Sequence, residues 1–120
     1  KGSQKNYYNK NMAPKLPQHP LEVNLGFKKF KIVQKSLSKA SLYGCVEFPK
    51  NTLTIDPNQS LEDYKWTLLH EIFHIGLDLF GLGEDEEIPN MTNEYLTTVT
   101  SNMVQTLAGL NPELFKFIFE

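Results

Sequence analysis

The sequence predicts a single α+β domain in which a small antiparallel or mixed β-sheet is followed by three helices. Two patterns lead to this fold class: residues 27–56 alternate apolar and polar side chains as strands do, whereas residues 61–118 follow a helical period. With 120 residues, of which 40% are hydrophobic, the chain can bury one modest core. It contains no apolar run near the ~20 residues of a membrane-spanning helix, so we expect no membrane association.

The strands are predicted from alternation and from turn residues. Charged and apolar side chains alternate over residues 27–33, which predicts a strand with one exposed face. Residues 42–48 form a second predicted strand, and the Pro-Lys-Asn sequence at residues 49–51 is typical of a turn. A third strand is predicted at residues 52–56, so the second and third strands should form a hairpin.

Residues 1–20 are polar, contain three prolines and follow neither period, which predicts a flexible leader ahead of a domain at residues 21–120. The leader has no continuous apolar segment of the ~7–15 residues found in a secretion signal. The single cysteine, Cys45, cannot form an internal disulfide bond. We therefore expect a cytoplasmic protein.

The first helix is predicted at residues 61–80. Ser60 is a suitable N-cap with Asp63 three residues later, and Gly81 follows the last apolar residue. Apolar side chains occupy most sides of this helix. We therefore expect it at the buried centre of the domain.

Two further helices are predicted after an acidic loop at residues 81–89. The second helix should run from about residue 91 to residue 108, with Gly109 at its C-terminal end. Asn111 as cap and Pro112 at the first helical position predict a short third helix. We expect the apolar end of this third helix to close the core.

The first helix contains His70-Glu71-Ile72-Phe73-His74, which has the HExxH pattern of zinc-dependent hydrolases. His70 and His74 are one turn apart, with Cβ atoms ~5–6 Å from each other, so their imidazoles can bind one Zn²⁺. Glu71 lies ~100° around the helix, where it can take a proton from a water molecule on the open side of the metal. The motif predicts a zinc site with Glu71 as general base for attack on a peptide carbonyl.

Such a site needs a third protein ligand, and Glu94 is the preferred candidate. It follows His74 by twenty positions and stands near the start of the predicted second helix. The intervening loop can fold that helix back antiparallel to the first. The sequence Asn-Glu-Tyr-Leu-Thr at residues 93–97 also resembles the segment that supplies the glutamate ligand in thermolysin-like gluzincins.

Two alternatives for the third ligand remain open. One is an acidic residue of the run Glu84 to Glu87, although a run of charges is more typical of a solvated loop. The other is Cys45, because Gly44-Cys45 resembles the Gly-Cys segment through which peptide deformylase binds its metal. A buried cysteine that acts as a small hydrophobic residue is the simpler interpretation of Cys45.

From Phe27 to its end, the chain resembles small phage-encoded proteins related to the ImmA/IrrE group of metallopeptidase-like proteins. The resemblance rests on Thr-Leu-Thr-Ile-Asp at residues 52–56, on residues 67–74 with the HExxH motif, and on Asn-Pro-Glu-Leu at residues 111–114. Of these three segments, the HExxH motif is the specific one.

This resemblance implies a minimal zincin-like fold of gluzincin type and a protein or peptide substrate. Zinc would be bound by His70, His74 and Glu94, with Glu71 as the base. In zincins generally, an edge strand beside the active-site helix pairs with extended substrate, and we expect that strand within residues 42–56.

Charge is unevenly distributed along the chain. Residues 1–50 carry ten lysines and two acidic residues, a net charge of +8, whereas residues 51–120 carry two lysines and twelve acidic residues, a net charge of −10. We expect the two halves to attract each other in the fold. The basic half is compatible with nucleic-acid binding, but every basic residue is lysine, and the absence of arginine disfavours that function.

The main alternative to a zinc metallopeptidase is a catalytically silent, zinc-stabilised peptidase-like module for binding or regulation, since ligand spacing predicts metal binding and not turnover. A deformylase-like hydrolase and a basic nucleic-acid binder are the lesser alternatives. Tyr43, Tyr64 and Tyr95 are candidates for stabilising an oxyanion. The sequence determines neither the substrate nor the oligomeric state.

Overall fold

The computed structural model describes residues 16–82 and 93–120 of the chain. Within these ranges it contains β1 (Glu22–Asn24), β2 (Lys29–Gln34), β3 (Gly44–Glu47), β4 (Thr52–Ile55), α1 (Leu61–Leu79), α2 (Asn93–Leu110) and α3 (Pro112–Phe119). The predicted α+β class, with strands first and helices second, is therefore confirmed. No helix in the two described ranges combines the length and the apolar character needed to cross a bilayer.

The strands form one mixed sheet in the order β1-β2-β4-β3. The pairs β1–β2 and β3–β4 are antiparallel, whereas β2 and β4 are parallel. The β3–β4 pair confirms the predicted hairpin, and Asn51 closes its turn with a positive φ of 46°. Among the described residues, β3 is an edge strand of this sheet and pairs with β4 alone.

The sequence analysis missed β1. Leu21, Val23 and Leu25 alternate with polar residues, but this segment directly follows Pro20 at the end of the predicted leader. Val23 is fully buried and pairs with Phe30 of β2. A three-residue strand contains too few alternations to be distinguished from a loop by its sequence.

The core lies between one face of the sheet and the helices. Because side chains alternate along a strand, Ile32 is buried on the helical face whereas Lys31 is exposed on the opposite face. Burial of Phe115 and Ile118 confirms that the third helix closes the core. The buried hydrophobic residues are Val23, Leu25, Phe30, Ile32, Leu53, Ile55, Tyr64, Leu68, Ile72, Ile75, Met103, Leu107, Leu114, Phe115 and Ile118.

The N-terminal cap of α1 is confirmed, because the Ser60 hydroxyl accepts a hydrogen bond of 3.1 Å from the Asp63 backbone N–H. Gly81 follows the helix with a positive φ of 77°. The expectation that α1 is buried on most sides is wrong, because Trp66 is 65% exposed and His70 is also exposed. The helix packs on the sheet with one face and presents Trp66 and His70 on the other.

The junction of α2 and α3 differs from the prediction. Gly109 does not end α2, which continues to Leu110, and the Asn111 side chain forms no capping hydrogen bond. Instead, Asn111 Nδ2 donates to the carbonyls of Leu107 and Asn24, at 2.9 Å each, and Asn111 Oδ1 accepts from the Asn24 N–H at 2.7 Å. Buried Asn111 thus joins β1 to the end of α2.

The predicted leader is described only in part. Residues 1–15 lie outside the described residues, whereas Pro17 and His19 form hydrogen bonds with the domain. The Tyr64 hydroxyl forms hydrogen bonds with His19 Nε2 at 2.6 Å and with Gln34 Nε2 at 2.9 Å. His19 therefore connects the segment before β1 to α1.

The expected attraction between the basic and acidic halves is not seen as ion pairs among the described residues. The two ion pairs found there, Lys29–Glu22 at 3.9 Å and Lys50–Glu47 at 3.4 Å, both lie within residues 1–50. Their side chains are largely exposed, so each contributes little to stability.

Replacing Asn111 with alanine should lower the free energy of unfolding by about 1–3 kcal/mol, because buried backbone groups of Asn24 and Leu107 would lose hydrogen-bond partners. Denaturant unfolding measures this change. Asn102→Ala is the matched control, since Asn102 is exposed on α2, and it should leave stability nearly unchanged. Equal effects of the two substitutions would contradict the role assigned to Asn111.

The His19 contact should make stability depend on pH. Burial lowers the pKa of His19, an effect only partly offset by its hydrogen bond to the Pro20 carbonyl. The unfolded chain therefore takes up a proton at His19 first, so the free energy of unfolding should fall as the pH drops below about 6.5. Melting temperatures should decrease more between about pH 7.5 and 5.5 in the wild type than in His19→Gln. Parallel pH profiles would exclude this contribution.

Candidate metal centre

His70 and His74 form a pair on one face of α1. Their Nε2 atoms are 3.2 Å apart, and the rings meet edge to face with centroids 4.8 Å apart. Two nitrogen ligands of a tetrahedral zinc ion, each about 2.0–2.1 Å from the metal, are roughly 3.3 Å apart. The same distance suits a hydrogen bond between one protonated and one unprotonated Nε2. The pair already has the spacing of two zinc ligands.

Trp66 is a neighbour of this pair that the sequence analysis did not single out. It lies one turn before His70, and the two rings stack with centroids 5.0 Å apart and an interplanar angle of 19°. The i, i+4 spacing of Trp66 and His70 was the signal that could have identified this contact. Trp66 thus covers one face of the His70 ring, whose Nε2 atom lies 3.2 Å from that of His74.

Glu71 lies between the sheet and the side of α1 that carries exposed His70 and half-buried His74. Its side chain is buried, and it packs against the edge strand at Gly44. A Cβ atom at position 44 would lie 2.8 Å from Thr67 Cγ2, 3.0 Å from Glu71 Cγ and 3.3 Å from Glu71 Oε2. Only glycine at position 44 allows β3 to approach this part of α1 so closely. The predicted base therefore lies directly beside the edge strand.

In residues 16–82 and 93–120, no strand pairs with the side of the β3 backbone that faces away from β4. The Tyr43 carbonyl accepts from the Asp56 N–H at 2.9 Å, in register with the β3–β4 pair. Because hydrogen-bonding direction alternates along an antiparallel strand, the N–H and C=O groups of Gly44 and Val46 point away from β4. These groups form the outer edge of the sheet.

Cys45 lies on the other face of the sheet from Gly44, because side chains alternate along the strand. It pairs with Thr54 of β4. Partial burial raises the pKa of the Cys45 thiol, and the negative charges of Glu47 and Glu71 raise it further. A thiol held protonated in this way is a poor starting point for metal binding, which requires the thiolate.

Glu94 lies in the first turn of α2 and is exposed. Within residues 16–82 and 93–120, no three or more His, Cys, Asp or Glu side chains are grouped so that they could hold a metal ion. The alternative ligands from Glu84 to Glu87 lie outside the described residues. The structure thus brings His70 and His74 together, and Glu94 as third ligand stays a prediction.

The three tyrosines named as oxyanion candidates have different surroundings. Tyr64 is fully buried, and its hydroxyl is bound by His19 and Gln34. Tyr43 is exposed directly before β3, and Tyr95 is exposed in the first turn of α2. Tyr64 is therefore part of the core, whereas Tyr43 lies beside the candidate metal centre.

Comparisons of the chain with protein-family models, curated proteins and solved structures find no match. The resemblance to ImmA/IrrE-related proteins and the zincin-like character of the fold therefore remain predictions.

Gly44→Ala should lower the free energy of unfolding by about 1–3 kcal/mol, because the added Cβ would press on Thr67 and Glu71 and separate β3 from α1. The control is Gly109→Ala near the end of α2, where an added Cβ would have no neighbour within 4 Å among the described residues. That substitution should stabilise the protein by up to about 1 kcal/mol. Urea unfolding of both variants measures the difference, and an unchanged midpoint for Gly44→Ala would show that β3 can shift without cost.

Proposed function

We propose that the protein is a zinc-dependent metallopeptidase that hydrolyses peptide bonds in a protein or peptide substrate. The observation that carries this proposal is the 3.2 Å separation of His70 Nε2 and His74 Nε2 on the helix whose Glu71 lies against an edge strand. Hydrolysis of an extended peptide requires metal ligands, a carboxylate and a strand edge to which the peptide can add, and in the described part of the chain the outer edge of β3 is unpaired.

The donor set suits zinc. Imidazole nitrogens are common zinc ligands, and the spacing of this pair agrees with tetrahedral coordination. His70 and His74 would hold the ion, and Glu94 is the proposed third ligand, which leaves the fourth position for water or substrate. When bound, zinc would acidify that water and polarise the scissile carbonyl.

Glu71 would carry out the proton transfers of the reaction. Glu71 accepts a proton from the attacking water and returns it to the departing amine, so it serves first as base and then as acid. Its packing against Gly44 fixes the carboxylate beside the strand along which the substrate lies. Because Glu71 is largely shielded from bulk solvent, its charge acts more strongly on nearby groups than an exposed carboxylate would.

The outer edge of β3 would bind the substrate backbone. An extended peptide can add to this edge through the N–H and C=O groups of Gly44 and Val46. Such pairing would place a peptide bond near Glu71, since Gly44 is in contact with that residue. The edge recognises backbone, so side-chain preference must come from the surfaces on either side of it.

This proposal includes two further expectations from the sequence. The protein would be a phage protein of the ImmA/IrrE-like group, and it would be located in the cytoplasm. They are supported by the motif-bearing segments and by the single cysteine of the chain. The competing function is a zinc-stabilised binding module without catalysis, which would share the metal site and lack turnover.

The proposal predicts about one zinc ion per chain, measured by elemental analysis after purification and reconstitution. His70→Ala and His74→Ala should lose the metal, Glu94→Ala should lose most of it, and Cys45→Ser should retain it. Glu113→Ala is the matched control for Glu94→Ala, because both acids are in the first turn of a helix. Absence of zinc from the reconstituted wild type would overturn the proposal.

Catalysis is tested on the zinc-loaded protein with a mixed peptide library. Glu71→Gln should retain zinc and lose at least about a hundredfold in cleavage rate, because general acid–base catalysis would be removed. Glu62→Gln, an equivalent change at an exposed position of α1, should cleave as the wild type does. Cleavage that is equal in Glu71→Gln and wild type would exclude the enzymatic mechanism, and zinc without cleavage in any protein would favour the binding module.

A further inference from the structure

A cavity of about 390 Å³ lies beside the candidate metal centre at the start of β3. Its volume is within the range of ligand pockets in proteins. Trp66 and Thr67 connect it to the site, since Trp66 stacks on His70 and Thr67 packs on Gly44. The cavity is lined by Tyr43, Asn58, Gln59, Asp63, Trp66 and Thr67.

One wall of this cavity is built by hydrogen bonds of Gln59. Its Nε2 donates to the Asp56 carbonyl at 2.7 Å and to the Tyr43 carbonyl at 3.5 Å, and its Oε1 accepts from the Thr67 hydroxyl at 3.0 Å. These bonds join the chain before β3, the chain after β4 and α1. The Gln59 amide is thus already hydrogen-bonded within the protein, and it fixes the three segments that surround the cavity.

We propose that this cavity binds a cationic side chain, lysine or arginine, of the substrate. Trp66 and Tyr43, which are 65% and 64% exposed, are the two aromatic residues that line the cavity. An aromatic face attracts a desolvated ammonium or guanidinium group. Asp63 adds the one carboxylate among the six lining residues, and no ion pair of Asp63 is found in the described parts of the chain.

The surrounding charges favour a cation. Lys65, the lysine nearest in sequence, does not line this cavity, because its Nζ lies 5.2 Å above the Phe117 ring. Asp63 is the one charged residue among the six that line the cavity, so a cationic side chain would be attracted to it and an acidic one repelled.

This inference rests on the proposed function, because the cavity adjoins the edge strand along which a substrate would bind. A peptide on β3 passes Gly44, and the preceding residue, Tyr43, is a wall of the cavity. One substrate side chain near the scissile bond can therefore enter the cavity while the backbone pairs with the strand. The cavity would give the enzyme a preference for basic residues at one position.

Binding can be measured without cleavage in Glu71→Gln, with and without zinc. Trp66 is the single tryptophan, so its fluorescence reports on this cavity. Three probes are compared: acetyl-Ala-Lys-Ala-amide, the same peptide with norleucine in place of lysine, and the same peptide with phenylalanine. The lysine peptide should bind about tenfold more tightly than the norleucine peptide, and added salt should reduce the difference.

Asp63→Asn, made in the same background, should remove the preference for lysine over norleucine. Glu62→Gln is the matched control, because it removes the same charge from the neighbouring, exposed position of α1 and should retain the preference. Thermal melting checks that both variants fold, and the comparison of the three peptides in Glu71→Gln alone does not depend on either variant.

Equal binding of the lysine and norleucine peptides, tighter binding of the phenylalanine peptide, or a lysine preference that survives in Asp63→Asn would each overturn this inference. Absence of binding by all three peptides would do the same. Failure of the proposed function is seen separately, as missing zinc or missing Glu71-dependent cleavage, while the fluorescence titration without zinc still tests the cavity.

Discussion

The close packing of β3 on α1 at Gly44 is the contact on which the candidate site depends. With no Cβ at position 44, the strand lies against Thr67 and Glu71 at distances that no other residue would permit. This contact places the outer edge of the sheet beside the predicted base. It also brings Tyr43, the residue before β3, to the turn of α1 that carries Trp66, which creates the adjacent cavity. Gly44 thereby places the strand edge, the Glu71 carboxylate and the adjacent cavity side by side.

The geometry of α1 explains how one helix can serve both the core and the site. Successive residues lie ~100° apart, so the residues that fill the core, such as Leu68 and Ile72, leave the opposite side to Trp66 and His70. Glu71 falls between these two sides and is covered by the strand. The histidines thus remain accessible to a metal without breaking the apolar contact with the sheet, and the carboxylate is shielded without entering the core.

The parts of the fold and site that the sequence predicts are those encoded by local patterns. The Ser60 cap, the β3–β4 hairpin and the one-turn spacing of His70 and His74 depend on residues close in sequence. The structure adds contacts between distant segments, which no local period encodes. Asn111 bonds to β1 across 87 positions, and Gly44 meets α1 only because the sheet is ordered β1-β2-β4-β3. For the same reason, the sequence could propose Glu94 as a ligand but could not locate it.

A third ligand on α2 would connect the metal to the stability of the helical layer. The C-terminal part of α2 is packed tightly on α1, since a Cβ at Gly76 would lie 2.8 Å from side-chain atoms of Met103 and Leu107. The first turn of α2, in contrast, carries exposed Glu94 and Tyr95. An ion bound by His70, His74 and Glu94 would join this first turn to α1 at a second point. Metal binding would then contribute directly to folding free energy, because the ligands come from two helices that the unfolded chain does not bring together.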